Sequence, residues 1–167
     1  MACATGFAGL SDAERTEFWA ALALRHCAGL GARSCARLLQ AFCSAYGAVQ
    51  SRVRWREAGL SQKQAAEMAT GSWRVTAREE WDRVRSLDAG ILLWTDPLYP
   101  PLLRQLPDAP VLLYCRGDVS LLAAPAFAVV GSRRATENGR AVAAYMSRWL
   151  SSCGISIVSG MALGIDR

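Results

Sequence analysis

The residues best able to do chemistry lie in two short stretches. The first is Gly131-Ser132-Arg133-Arg134-Ala135-Thr136, which follows an apolar run from Ala126 to Val130. The second is Ser159-Gly160-Met161-Ala162-Leu163-Gly164-Ile165-Asp166, which follows Ile155 to Val158. Glycine lets a backbone turn sharply and leaves its amide open. Serine donates a hydroxyl, and arginine holds a phosphate with two parallel hydrogen bonds. Thr136 is placed to cap a helix whose first amides and dipole favour an anion. The chemistry implied is phosphate recognition. The spacing is neither G-x-G-x-x-G nor a P-loop, so neither a dinucleotide nor a hydrolysable triphosphate is implied. The plain alternative for the first stretch is a strand-to-helix turn with a solvated arginine pair. Asp166 has three structural roles open to it: capping a following helix, accepting from a loop amide, or pairing with Arg133. One carboxylate without a base or metal partner performs no obvious chemistry, so no catalytic residue is assigned.

The elements around these loops must hold them side by side. A helix over about Thr136 to Ser152 separates the two apolar runs, with Val142, Met146, Trp149 and Leu150 expected to face a sheet. Strand, helix, strand at this spacing predicts a right-handed parallel crossover. Both loops then leave carboxyl ends of neighbouring strands, the side on which open parallel sheets bind ligands. Two small-residue loops so placed form a groove that admits a sugar-phosphate backbone. Upstream, Ile91 to Trp94 and Val111 to Cys115 read as two further strands. The stretch Asp96 to Pro101 reads as a rigid, extended connector.

Before Gly90 the pattern is helical. Residues 1–10 read as a loose leader. Ser11 and Glu14 form a capping box that starts a helix reaching about Cys27. Further helices are expected over 32–45, with Gly47 as a C-terminal cap, then 48–57. Ser61 and Gln64 cap another, to about 69, and a last one spans 75–87.

The 167 residues suffice for one ordinary domain or two small ones, and 52% are apolar, which excludes wholesale disorder. The net charge is +5, and of the 19 basic residues only Lys63 is lysine. Residues 1–60 carry seven arginines against four acids, and residues 126–167 carry five against two. The middle is slightly acidic, so the two ends are the candidates for polyanion contact. An arginine-rich, alanine-rich chain equally fits genomic base composition. The six cysteines include no C-x-x-C pair, and His26 is the one histidine. They read as reduced, mostly buried thiols of a cytoplasmic protein, not as a metal site. Cys27, Cys35 and Cys43 recur every eight residues, which suggests packing positions on helices. No apolar run approaches the roughly 20 residues that span a bilayer.

Two orders of residues, G-S-R-x-x-T-x-x-G and V-S-G-x-A-x-G-I-D with an amphipathic helix between them, resemble the DNA-processing protein A family (DprA, also called Smf). The stretches Asp96 to Leu103 and Pro107 to Asp118 resemble that family's lead-in. The resemblance covers roughly residues 90 to 167. It implies an α/β fold: a helical module over 1–89, helix-hairpin-helix or SAM-like, then the first half of a Rossmann-like parallel sheet over 90–167. It implies a mediator of natural transformation and recombination that binds single-stranded DNA, protects it and helps load the RecA recombinase, commonly as a dimer. No cofactor and no enzymatic activity are implied. Arg133 matches the family's pocket arginine, and Gly131, Ser132, Ser159 and Gly160 its small pocket residues. Arg134, Thr136, Gly164 and Asp166 complete the candidate nucleic-acid site. The family's sheet continues past its G-I-D loop. A chain ending at Arg167 is therefore expected to be truncated, poorly stable, weak in DNA binding and doubtful as a dimer on its own.

The stretch Leu24 to Leu39, through Ala28-Gly29-Leu30-Gly31-Ala32-Arg33, resembles a helix-hairpin-helix. There the amides of Gly29 and Gly31 meet phosphates without reading sequence, and Arg33 and Arg37 strengthen the contact. A plain packing hairpin is the alternative. The tryptophans are expected to be mostly core or interdomain anchors, although base stacking is the other use of such rings. Two rival functions are consistent with the loops. One is an enzyme of Rossmann-like fold that cleaves nucleoside monophosphates, which needs a carboxylate near the glycosidic bond. The other is an adaptor that works through its N-terminal helices.

Overall fold

The computed structural model describes residues 5–87 and 89–166. The chain forms two compact units, Met1–Leu122 and Ala123–Arg167. The change of sequence character at Gly90 thus falls inside the first unit.

Helix α1, Asp12–His26, starts as its sequence dictates. Ser11 Oγ accepts from the Glu14 amide, and the Glu14 carboxylate accepts from the Ser11 amide at 2.8 Å. The hydrogen bonds from Ser11 hold the Glu14 carboxyl below its ordinary range. Helix α2, Ala32–Phe42, ends at Cys43, which adopts a left-handed φ of 61°. Ser44 then caps α3, Ala45–Gln50. Gly47 therefore lies inside a helix and does not end one. A 3-10 helix, Arg52–Ala58, replaces the expected α-helix over 48–57. Helix α4, Gln62–Thr70, carries the second capping box, from Ser61 and Gln64, and α5, Trp73–Val84, follows.

Strand β1, Gly90–Leu93, pairs antiparallel with β2, Leu112–Cys115. The link between them includes a four-residue helix, α6, Pro101–Arg104, which starts at the last residue of the stretch read as extended. Strand β3, Ala126–Ala128, and strand β4, Ser156–Val158, pair in parallel across α7, Glu137–Ser152. Phe127 sits opposite Ile157. The two ladders are separate sheets, so the parallel pairing expected from residue 90 onward is found in β3 and β4.

The core lies in the first unit. Phe18, Leu22, Leu24, Leu38, Leu39 and Trp55 are fully buried, with Ile91 and Leu112 from the strands. Phe7 packs on Phe18 and Trp81, with ring centroids 5.3 and 4.1 Å apart, and Thr5 bridges to Ile91. The leader is thus tied down from Thr5 onward, because an aromatic at position 7 finds two aromatic partners. Two buried carboxylates join elements. Glu17 accepts from the Ala45 and Tyr46 amides at 2.6 and 2.8 Å, and so fixes the start of α3 against α1. Glu80 accepts from the Tyr114 hydroxyl at 2.6 Å and meets His26 Nε2 at 2.7 Å, joining α5 to β2 and α1. Burial and that hydrogen bond push the Tyr114 phenol far up.

Cys27 and Cys35 are buried as expected, whereas Cys43 and Cys153 are exposed and Cys115 is half-buried. Cys3 lies outside the described residues. Burial pushes the Cys27 thiol up to about 11 and the Cys35 thiol up to about 12, from an ordinary 9.0. A thiol reagent should therefore label Cys43 and Cys153 in the native chain, and Cys27 and Cys35 only after unfolding. Because both folded values are raised, this contribution to stability is complete below pH 9 and is lost as pH rises through 11 and 12. Fast labelling of Cys35 in the native chain would contradict this packing.

Candidate nucleic-acid interface

The second unit is a strand, a helix and a strand, with a loop after each strand. Thr136 caps α7 as its sequence position requires, its Oγ1 accepting from the Gly139 amide at 3.1 Å. The first loop, residues 131–136, turns on a short local bond: the Arg134 amide donates to Ser132 Oγ at 3.1 Å. The second loop, residues 159–166, does likewise, with the Met161 amide facing Ser159 Oγ at 3.4 Å.

The two loops are joined to each other. Asp166 Oδ1 accepts from the Gly131 amide and Oδ2 from the Gly160 amide, both at 3.2 Å. Ser159 Oγ donates to the Asp166 carbonyl at 2.9 Å. The Ile165 amide donates to the Ser132 carbonyl at 3.3 Å. Of the roles left open for Asp166, the described residues show that of acceptor for loop amides. It does not pair with Arg133.

Glycine is required where the loops touch. A Cβ on Gly131 would lie 2.6 Å from Ile165 Cγ1. Gly164 has a φ of +99°, and a Cβ there would run into the Ser132 carbonyl and lie 2.8 Å from Arg133 Cα. A Cβ on Gly139 would lie 3.2 Å from Thr136 Oγ1 and 3.6 Å from Ile165 Cδ1. The glycines of both motifs therefore make room for Ile165 and for the first loop's backbone. Sequence reasoning missed Ile165. Its signal was present: an isoleucine between Gly164 and Asp166, with glycines at 131 and 139 where its side chain comes close.

Of the candidate residues, Gly131, Ser132, Ser159, Gly160, Gly164 and Asp166 come together at this junction. Arg133 and Arg134 are exposed beside it, and among the described residues neither makes an ion pair. Among the described residues of the second unit the acids are Glu137 and Asp166, against four arginines, at 133, 134, 140 and 148. The exposed cations on the loop can meet an anion by side chain, whereas the Gly131 and Gly160 amides are already engaged.

The face that α7 turns to the strands differs in part from the one expected, with Leu150 half-buried as read. Ala143 and Ser147 line a cavity of about 290 Å³ with Val129, Ile157 and Ile165. Val142, Met146 and Trp149 are about half exposed, at 50%, 48% and 60%. Small side chains bring the helix close to the second loop, and the large apolar ones lie on its flank. Trp149 thereby departs from the anchoring expected of the tryptophans. Trp55 and Trp94 are buried, and Trp19, Trp73 and Trp81 pack against the core.

The candidate hairpin lies in the first unit. Gly29 takes a φ of 78°, the Leu30 amide donates to the Cys27 carbonyl at 3.1 Å, and Leu30 is buried. Gln64 Nε2 holds the Gly29 carbonyl at 2.8 Å. Gly31 is the N-terminal cap of α2 and supplies no side-chain acceptor, which leaves the first amides of that helix without a side-chain cap. Arg33 is exposed next to them.

Residues 90–167 match the family model described as DNA recombination-mediator protein A. The chain is similar to the DNA processing protein DprA of Streptococcus pneumoniae, 42% identical over 71 residues, which span 42% of this chain and 25% of that protein. It is similar to the protein Smf of Synechocystis, 39% identical over 75 residues, 42% of this chain and 19% of that protein. It is also similar to the DNA processing protein DprA of Bacillus subtilis, 36% identical over 69 residues, 41% of this chain and 23% of that protein. The matched region thus spans about a quarter or less of each of these relatives. Among the described residues no helix is long and apolar enough to cross a membrane.

Proposed function

We infer the function from the family model that residues 90–167 match, that of the DNA recombination-mediator protein A. The chain binds single-stranded DNA without reading its sequence, as part of a recombination mediator. The observation that carries this reading is the exposed Arg133, without an ion pair among the described residues, on a loop locked to a second small-residue loop. Phosphates meet Arg133, Arg134 and the N-terminal turn of α7, and Ser132 adds a hydroxyl. The Gly29 to Arg33 hairpin is a secondary phosphate contact. The segment from β3 to β4 is the opening part of a Rossmann-like sheet. The protein acts in the cytoplasm, protects single strands during natural transformation and helps load RecA. It is a binding protein and not an enzyme, and the complete family protein works as a dimer.

Phosphate contacts dominate such binding, so affinity falls steeply with salt. Fluorescence anisotropy with labelled oligonucleotides at low salt tests the reading. Single strands of different sequence are expected to bind alike, and more tightly than duplex. A preference for duplex, or for one sequence, would overturn it. Release of free base from a nucleoside monophosphate would favour the glycosidic-cleavage rival instead.

A further inference from the structure

A carboxylate inside an anion pocket needs an explanation. Asp166 ends the second loop and sits against the first loop, which carries the proposed phosphate contacts, so its charge opposes a phosphate there. Two roles are open to it. It can act as a stand-in anion that DNA displaces, or as a tie that sets the loops in place.

The surrounding contacts separate these roles. Each carboxylate oxygen takes one amide, Gly131 from the first loop and Gly160 from the second. The Asp166 backbone is itself held, by Ser159 Oγ. The preceding Ile165 lies against Gly131 and Gly139, and its amide donates to the Ser132 carbonyl. Gly164 lies directly on the Ser132 and Arg133 backbone. Swinging the carboxylate out would forfeit both amide bonds, while the other contacts hold the backbone of residues 164–166 so that the carboxylate stays beside the amides it ties.

We propose that Asp166 is the positioning residue of this site: it ties the two loops through the Gly131 and Gly160 amides, presents Arg133 to phosphate, and does not itself touch DNA. The proposal rests on the single-stranded DNA reading above. It also removes these two amides from the phosphate contacts, which then fall to side chains and the start of α7.

Asp166→Asn tests it, because this variant removes a negative charge and also one of the two acceptors. A repelling or displaceable carboxylate predicts tighter binding by the variant. A positioning carboxylate predicts the reverse, weaker by roughly tenfold, the scale of one charge-assisted hydrogen bond. The slope of log affinity against log salt should also shrink by about 0.7, the value for one lost phosphate contact on a single strand. The double variant with Arg133→Ala should bind no more weakly than Arg133→Ala alone, since both remove the same contact. Circular dichroism of α7 checks that the variant remains folded. Unchanged or tighter binding by Asp166→Asn, or additive losses in the double variant, would overturn the proposal. Amide hydrogen exchange at Gly131 and Gly160 judges the tie without DNA: it should be slower in the wild-type chain than in Asp166→Asn. Equal exchange rates refute the tie. Absence of single-strand binding by the wild-type chain, with slowed exchange intact, refutes the DNA reading and leaves the tie standing.

Discussion

Gly164→Ala should open the two-loop junction and remove most of its DNA binding. The residue adopts a φ of +99°, which side-chain-bearing residues avoid. The added methyl would also meet the Ser132 carbonyl and lie 2.8 to 2.9 Å from Arg133 backbone atoms. Neither obstacle is a flexible side chain that can turn aside. Backbone strain of this kind costs about 1 to 3 kcal/mol, and at the upper end it corresponds to roughly a hundredfold in affinity. The first loop must then shift, and Arg133 moves with it. Anisotropy with a single-stranded oligonucleotide reads the loss. Full affinity in Gly164→Ala would mean that the loops need not touch for binding.

Trp55→Ala should be the most damaging single change to the first unit. Its ring is fully buried, and its Nε1 donates to the Ala48 carbonyl at 2.7 Å. Truncation leaves a large cavity and also an unpaired buried carbonyl. Losses for such truncations run at about 4 kcal/mol, a large share of a domain stability of about 5 to 15 kcal/mol. Trp55→Phe keeps most of the volume and loses the hydrogen bond, at a cost of about 1 to 2 kcal/mol. Urea unfolding followed by circular dichroism separates the two. Similar midpoints for both variants would show that volume at this position matters little.

Much of this architecture could be read from local sequence. Ser11 with Glu14 and Ser61 with Gln64 mark helix starts through residues three apart, and Thr136 caps α7 in the same way. Short apolar runs bounded by glycines gave the four strands. What escaped was non-local. Glu17 sits in an ordinary helical sequence, and only the fold shows it capping α3 from 28 residues away. Phe7 gained its partners at Phe18 and Trp81, so the leader could not be recognised as ordered. On α7, hydrophobicity pointed to Val142, Met146 and Trp149. Ala143 and Ser147 instead face the second loop, where they line a cavity together with Ile165. That the two loops would meet was legible, since two glycine-bearing loops follow two apolar strands. The division of labour among their residues was not. Asp166 and Gly131 are 35 residues apart, and their bond exists only once β3 and β4 are paired.

The central claim is that Arg133 carries phosphate binding of single-stranded DNA. The most direct test is a salt titration of single-strand affinity for the wild-type chain and Arg133→Ala, between roughly 50 and 200 mM. The variant should bind every sequence more weakly, with a log–log slope smaller by about 0.7. Identical affinities and slopes for the two chains would contradict the account.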